Sequence, residues 1–364
     1  MSGSFEFDIH SSAKSYHVLA GTGIVRPHVE SSHAILICDE VLPTYYPWLE
    51  REASILIQAR EEFKTLDTIG MLIEQLRQRG ATRTARVIAI GGGIIQDVAT
   101  FAASCYMRGI GWDYVPTTLL GMVDSCIGGK SSINVGSYKN IVGNFYPPDT
   151  IWVDTDFCST LSSAQMVEGL CEAVKICYAS TDDAFDRYLA LADAGDLLRD
   201  SAHVVKIINL TLATKKVFIE EDEFDNGIRL LLNFGHTFGH ALEGASNYRI
   251  SHGIAVGLGM LASFSFSEAQ GLVDRYCARA SKLRAHLRWL LAQVPGLDAE
   301  LAKIPADDLL RRFDSDKKHT AEHYAVIAYD ADGVLVRHLT PRTAATKRTL
   351  HHAFAAMERE LNEI

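Results

Sequence analysis

Four short apolar runs, each bounded by turn residues, occur between residues 33 and 118: HAILICDE (33–40), SILIQA (54–59), ARVIAIGGG (85–93) and WDYVPTT (112–118). Runs of this kind suit strands that are buried on both faces. Between the second and third, TIGMLIEQLRQRG (68–80) places apolar residues at helical spacing and ends on Gly80, a natural C-cap. Strand, helix, strand, glycine-rich turn and helix in succession predict an α/β domain with a parallel sheet covered on both faces. Near the start, SFEFDI and SYHVLAG alternate with period two and are expected to form an antiparallel hairpin at the sheet edge.

The second half follows a different pattern. No proline occurs from residue 149 to 294, where average usage of about 5% would supply about seven. Helical periodicity dominates in SAQMVEGLCEAVKICYA, SAHVVKIINLTLATKKVFI, TFGHALEGA and GIAVGLGMLASFSFSEAQ. An all-helical second domain is expected, with a boundary near 150–160. The α/β domain would then span residues 1–155 and the helical one 156–364, in line with what a chain of 364 residues favours. No repeat or low-complexity linker separates the halves, so tight packing with a ligand cleft between them is expected. The last stretch, RTLHHAFAAMERELNEI (348–364), has an apolar stripe and reads as a packing helix.

Charge and cysteine usage narrow the function classes. Thirty-five basic residues against 45 acids give a formal net charge of −10, which argues against a nucleic-acid or anionic-membrane surface over the whole protein. A local basic pocket is compatible with that balance. No apolar run approaches the roughly 18 residues of a membrane helix, and MSGSFEFDIH does not read as a signal peptide. The seven cysteines form no CxxC pair and lie in no nucleophile motif. They read as reduced core thiols of a cytoplasmic enzyme.

Three segments carry chemistry. GGGIIQD (91–97) follows a buried strand and opens a helix, where glycines and a helix N-terminus favour phosphate; a tight structural turn is the other reading. VDSCIGGKSSINVGSYKN (123–140) holds Asp124, a GG pair, Lys130, Lys139, Asn134 and Asn140, a composition suited to oxyanions or to a solvated surface loop. NFGHTFGH (233–240) sets His236 and His240 four apart on one helix face, with His252 in SHG, and Glu172 beside Lys175 in EAVK. Two or three imidazoles and a carboxylate suit zinc or a similar divalent ion, but spacing leaves open which groups ligate.

Taken in order, GGGIIQDVATFAASCYMRG, PTTLLGMVDSCIGGKSSIN, YKNIVGNFYPP, EGLCEAVK, EEDEFDNGIRLLLNFGHTFGHALE and SHGIAVG resemble the dehydroquinate synthases, NAD- and metal-dependent sugar phosphate cyclases. The likeness runs from about residue 60 to 260, with a weaker echo at SDKKHT (315–320). It implies a Rossmann-like N-terminal domain, a helical C-terminal domain and a homodimer acting on a small phosphorylated sugar. It implies Glu172, His236 and His252 as ligands of a divalent metal, zinc first and cobalt second, with His240 moved to the substrate phosphate. Lys130, Asn140, Lys175, Lys215, Arg229 and Asn233 fall on substrate-contacting positions. Arg108 matches an arginine that reaches across the dimer, and one of Lys317 and Lys318 matches a further cation. NAD contacts fall on Glu61, Lys64, Gly92, Gly93, Asp97, Thr117, Thr118, Asp124, Lys139 and Thr160. The implied chemistry oxidises a secondary alcohol transiently with NAD, eliminates phosphate, returns the hydride, and closes a carbocycle by an intramolecular aldol step.

Which cyclase is implied turns on a few positions. Lys215, Arg229 and Asn233 keep the pattern of the carboxylate-using branch, since an acid in place of Asn233 would repel a substrate carboxylate. That favours dehydroquinate or its amino analogue over products of sedoheptulose 7-phosphate or glucose 6-phosphate. A metal-dependent polyol dehydrogenase is the further alternative, and the phosphate-binding residues argue against it. Three departures stand out: HGI where HGE is usual, so Ile254 replaces a carboxylate; Gln96 where the nucleotide turn commonly has glycine; and INVGSYKN without the usual proline-leucine-glycine. They are expected to reflect either neutral drift or a cyclase of secondary metabolism.

Overall fold

The computed structural model describes residues 4–136 and 138–362. The chain divides into two compact units: one runs to Leu161 and takes in Ala194–Glu223, the other comprises Ser162–Asp193 and everything from Phe224 onward.

Up to Asp154 the strands and α-helices of the first unit run in the order β1 (Phe5–Ile9), β2 (Tyr16–Gly21), α1 (Val25–Ser31), β3 (Ile35–Asp39), α2 (Leu42–Tyr45), β4 (Ser54–Ile57), α3 (Leu66–Gln78), β5 (Arg86–Gly91), α4 (Gly93–Cys105), β6 (Gly111–Pro116), β7 (Ile133–Val135), β8 (Tyr138–Val142) and β9 (Thr150–Asp154). Seven strands form one sheet in the order β1-β2-β9-β6-β5-β3-β4. All its pairings are parallel except β1 with β2, the expected edge hairpin, in which Phe5 faces Ala20. The central strands are apolar on both faces, with Val87, Ile88, Ala89 and Ile90 all buried, because helices cover a parallel sheet on both sides. Gly80 follows α3 in the left-handed conformation (φ 73°), and its N–H donates to Arg77 O. Strands β7 and β8 pair as a separate small hairpin that begins in the 123–140 segment and ends at Val142.

The chain then forms α5 (Ser163–Ala179) and α6 (Ala184–Asp193) of the second unit before α7 (Ser201–Glu221) returns it to the first. The compact units thus divide first at Leu161/Ser162 and not at a single point, and α7, a helix expected in the second domain, groups with the sheet. Glu220 on α7 accepts from His10 N at 2.9 Å, and Lys216 Nζ lies 5.6 Å from the Phe7 ring centroid.

The second unit resumes with α8 (His236–Ala245), α9 (His252–Ala269), α10 (Ala278–Leu291), α11 (Leu297–Leu301), α12 (Ala306–Asp314), β10 (His323–Tyr329), β11 (Leu335–Pro341) and α13 (Ala344–Asn362). It is therefore largely but not wholly helical, a correction to the all-helical expectation. Strand β10 is a continuous apolar run that pairs antiparallel with β11 through the turn at Asp330–Gly333, and it packs against α9. Helix α9 is apolar all round, and every residue from Gly253 to Ser267 is buried, so it forms the axis of this unit. No helix among the described residues is long and apolar enough to cross a membrane.

Candidate active site

In the first unit β5 delivers Gly91, Gly92 and Gly93 to the start of α4. A Cβ on Gly91 would lie 2.4 Å from Ile95 Cγ1, and one on Gly92 would lie 3.2 Å from Thr118 Cγ2, so the turn is shaped by close approach. Thr117 N donates to Gly91 O at 3.1 Å, and Thr118 Oγ1 accepts from Gly121 N at 3.1 Å. No side chain caps α4, whose first-turn amides present the positive end of the helix dipole.

Beside this turn four of the predicted cofactor residues, Glu61, Lys64, Asp97 and Lys139, form one network with Asn134 and Asn140. Lys64 Nζ donates to Asp97 Oδ2 at 3.0 Å and to Asn140 Oδ1 at 2.7 Å. Glu61 pairs with Lys139 Nζ at 3.3 Å and accepts from Asn134 Nδ2 at 2.9 Å. Asn140, at φ 53°, donates its backbone N–H to Asn134 Oδ1. Burial pushes the Asp97 carboxyl up to about 6, against the pull of the Lys64 ammonium. Asn140, expected on the substrate, here belongs to the Lys64 network.

Asp124 lies in the π-helical turn Gly121–Ser125, and Lys215 of α7 closes on it. Lys215 Nζ is 2.5 Å from Asp124 Oδ1 and also donates to the carbonyls of Asp124 and Ile127. Gln96 explains itself in the same place. Its buried amide donates to Ser125 O at 2.7 Å and accepts from Ser125 Oγ at 2.8 Å, tying α4 to the Asp124 turn.

Other predicted residues lie apart from these groups. Lys130 bridges to Phe145, with Nζ 5.8 Å from that ring. Thr160 is exposed and bonds the Phe157 carbonyl and the Tyr46 hydroxyl. Arg108 is exposed on a strained turn, with Met107 at φ 50° and Arg108 at φ 69°. All seven cysteines are free, and burial pushes the Cys38, Cys126 and Cys158 thiols up to about 12. Cys38, Cys126, Cys171 and Cys177 are buried, as the core-thiol reading expects, but Cys105 is exposed and Cys158 and Cys277 are half-buried, which corrects that reading for these three.

In the second unit Glu172, His236 and His252 come together from three helices. Glu172 and Lys175 lie one turn apart on α5, both buried, and form an ion pair through Glu172 Oε2. The other carboxylate oxygen, Oε1, is buried without a hydrogen-bond partner, 3.4 Å from His252 Nε2 and 3.9 Å from His236 Nε2. Each ring engages its far nitrogen elsewhere: His236 Nδ1 with Phe234 O at 3.2 Å, His252 Nδ1 with Glu243 Oε2 at 3.0 Å. One ligand atom from each of Glu172, His236 and His252 lies within 4.8 Å of the others.

Glycines make this convergence possible. A Cβ on Gly259 of α9 would lie 2.1 Å from Gly235 O, and one on Gly239 of α8 would lie 2.9 Å from Ala255 O. The two helices therefore pack backbone to backbone. Burial first, and the Lys175 ammonium second, hold His236 well below its ordinary value, so it is the neutral imidazole that a cation needs. His252 is raised to about 10: burial opposes this, but the negative charge of the Glu172 and Glu243 carboxylates beside the ring outweighs it. An orphaned carboxylate oxygen facing two imidazole nitrogens is a donor set that fits a divalent cation such as zinc.

Around this cluster lie further polar groups. His240 Nδ1 and Lys318 Nζ sit 3.8 and 3.7 Å from Asp316 Oδ2. Lys318 Nζ is buried without a hydrogen-bond partner, whereas Lys317 is exposed, so Lys318 is the member of the pair that joins the cluster. Arg229 is buried on the 3-10 turn Ile228–Asn233. Asn233 donates to Leu230 O at 3.1 Å and lines a cavity of about 140 Å³ with Leu230, Thr237, Lys318 and Arg337. Ile254 is buried in the α9 core. Sequence reading missed two residues here. Glu243 lies seven residues beyond His236 on the same helix face, a spacing that could have revealed it. Arg337 lies on the unforeseen strand β11.

Residues 54–168 match the family described as 3-dehydroquinate synthase N-terminal, and residues 169–319 match 3-dehydroquinate synthase C-terminal. A 3-dehydroquinate synthase of Alkaliphilus metalliredigens (strain QYMF) is 34% identical over 354 residues, 93% of this chain and 96% of that one. A crystal structure of 2-deoxy-scyllo-inosose synthase complexed with carbaglucose-6-phosphate, NAD+ and Co2+ superposes with TM-score 0.82 at 25% identity, covering 96% of this chain and 99% of the other. The 2-epi-5-epi-valiolone synthase of Streptomyces hygroscopicus subsp. jinggangensis 5008, with NAD+ and Zn2+ bound, shares the fold at TM-score 0.78 and 21% identity, covering 96% and 98% of the two chains. On these matches across both units, the chain belongs to the 3-dehydroquinate synthase family.

Proposed function

We propose that the protein is a phosphate-eliminating carbon–oxygen lyase, a cyclase that converts a seven-carbon keto-acid sugar phosphate to a dehydroquinate-type carbocycle. The observation that carries this reading is the Glu172 oxygen, buried and unbonded, facing two imidazole nitrogens whose other nitrogens are already engaged. Glu172, His236 and His252 would hold a divalent ion, zinc before cobalt. Gly92, Gly93, Thr117, Thr118, Glu61, Lys64, Asp97, Asp124, Lys139 and Thr160 would serve NAD. When bound, the ion polarises a substrate hydroxyl and NAD accepts and returns a hydride.

The chain's own residues supply the rest. Lys175 fixes the Glu172 carboxylate and lends positive charge to a developing alkoxide. His240 and Lys318 hold the substrate phosphate, the buried Lys318 ammonium gaining a hydrogen bond beyond its 3.7 Å ion pair with Asp316. Arg229 and neutral Asn233 accept the substrate carboxylate; Lys130, Lys215 and Asn140 are further substrate-contacting positions of the family resemblance, and Arg108 serves a second copy of the chain in a homodimer. Free cysteines suit the reducing cytoplasm.

The test is turnover of the keto-acid phosphate by purified protein with NAD and zinc or cobalt, compared with sedoheptulose 7-phosphate and glucose 6-phosphate. Phosphate and dehydroquinate released in equal amounts, without net NADH, are expected. Phosphate release only from the neutral sugar phosphates would replace the keto acid as substrate, and net NADH accumulation would indicate a dehydrogenase.

A further inference from the structure

His252 belongs to two groups that could hold a cation: Glu172, His236 and His252, or His240, Glu243 and His252. A neutral imidazole carries one proton, so its two nitrogens cannot both bind ions. With the proton on Nδ1, Nε2 joins Glu172 and His236; with the proton on Nε2, Nδ1 joins Glu243 and His240. The choice rests on which neighbour better accepts the proton.

We infer that Glu243 is a positioning residue that sets the tautomer of His252 and thereby directs the metal to Glu172 and His236; this rests on the metal reading proposed above. Glu243 Oε2 lies 3.0 Å from Nδ1, whereas Glu172 Oε1 lies 3.4 Å from Nε2. The shorter contact is the hydrogen bond, and Nε2 is left with its lone pair toward the orphaned Glu172 oxygen. His236 is oriented by a backbone carbonyl that no substitution removes, but His252 depends on a side chain from the neighbouring helix. Ile254, two residues beyond His252, is buried and offers no acceptor. A carboxylate behind a metal-bound imidazole fixes the ring and raises its basicity, and losing such a partner costs about 10–100-fold in metal affinity.

The experiment titrates chelator-stripped full-length protein with Zn2+ and Co2+, using a competing chromogenic chelator. Wild type is expected to bind one ion per chain. Glu243→Met, similar in length but without an acceptor, should weaken binding about 10–100-fold at unchanged stoichiometry. Glu243→Gln, which keeps an acceptor oxygen, should recover most of that loss. Nitrogen-15 spectra of zinc-loaded wild type should place the His252 proton on Nδ1, a readout independent of how any variant folds. A Glu243→Met affinity within twofold of wild type, an equal loss in Glu243→Gln, or a proton on Nε2 would overturn the inference while leaving the metal reading intact. Two ions in wild type and one in Glu243→Met would make Glu243 a ligand instead. No ion bound to wild type would overturn both.

Discussion

Replacing Gln96 by alanine tests whether this departure from the usual glycine is a structural fastener. The substitution removes both bonds to Ser125, the amide N–H to its carbonyl at 2.7 Å and the hydroxyl to the Gln96 carbonyl at 2.8 Å. Each such bond is worth about 1 kcal/mol net, and Ser125 is part-exposed, so water relieves the larger penalty of a fully buried orphan. The expected loss is about 2 kcal/mol, or about 30-fold in the opening equilibrium of the Asp124 turn. Hydrogen exchange across residues 121–130 is the direct assay, with urea unfolding as the global measure. Glu in place of Gln96 should do no better than Ala, because it keeps one bond but sets a carboxylate oxygen against the Ser125 carbonyl. Unchanged exchange in that segment together with a stability change below about 0.5 kcal/mol would refute the reasoning, since that is the range of an inert surface site.

Two glycine substitutions should move stability in opposite directions. Gly259→Ala forces a Cβ to 2.1 Å from Gly235 O, a backbone atom one residue before His236, so a loss of about 3 kcal/mol or more and weakened zinc binding are expected in thermal melts and metal titration. Gly70→Ala, in the interior of α3 with nothing within 4 Å of the new methyl, should raise stability by about 0.5–1 kcal/mol in urea titration; a loss would show that α3 needs the flexibility.

The α/β unit was readable because its elements announce their period locally: apolar runs for β3 to β6, helical spacing in α3, alternation in β1 and β2. Of the four runs, that of the edge strand β4 leaves Leu56 exposed rather than buried on both faces. The hairpin of β10 and β11 escaped because HYAVIAY is a continuous apolar run, which periodicity does not distinguish from a buried helix segment. The DADG turn after it was the available signal. The helical pattern of α7 was plain, but its place with the sheet depends on contacts such as Lys215 with Asp124, some 90 residues apart, which no local pattern encodes. Within the second unit, spacing suggested HxxxH and the family resemblance redirected the ligand set to Glu172, His236 and His252. What separated Lys318 from Lys317 was burial, a property of the folded chain alone.

The return of α7 to the sheet unit has a consequence for the order of events during synthesis. At about 5–20 residues per second, the roughly 60 residues between Leu161 and Glu223 take about 3–12 s to emerge. Throughout that interval the sheet lacks the helix whose lysine closes on Asp124, while α5 and α6 stand outside the ribosome before the helices they pack with exist. Glu172 is translated 80 residues ahead of His252, so the candidate cation site cannot assemble until the chain has been made through α9. No single scission yields both units whole, and a fragment ending at Leu161 would expose the seat of α7.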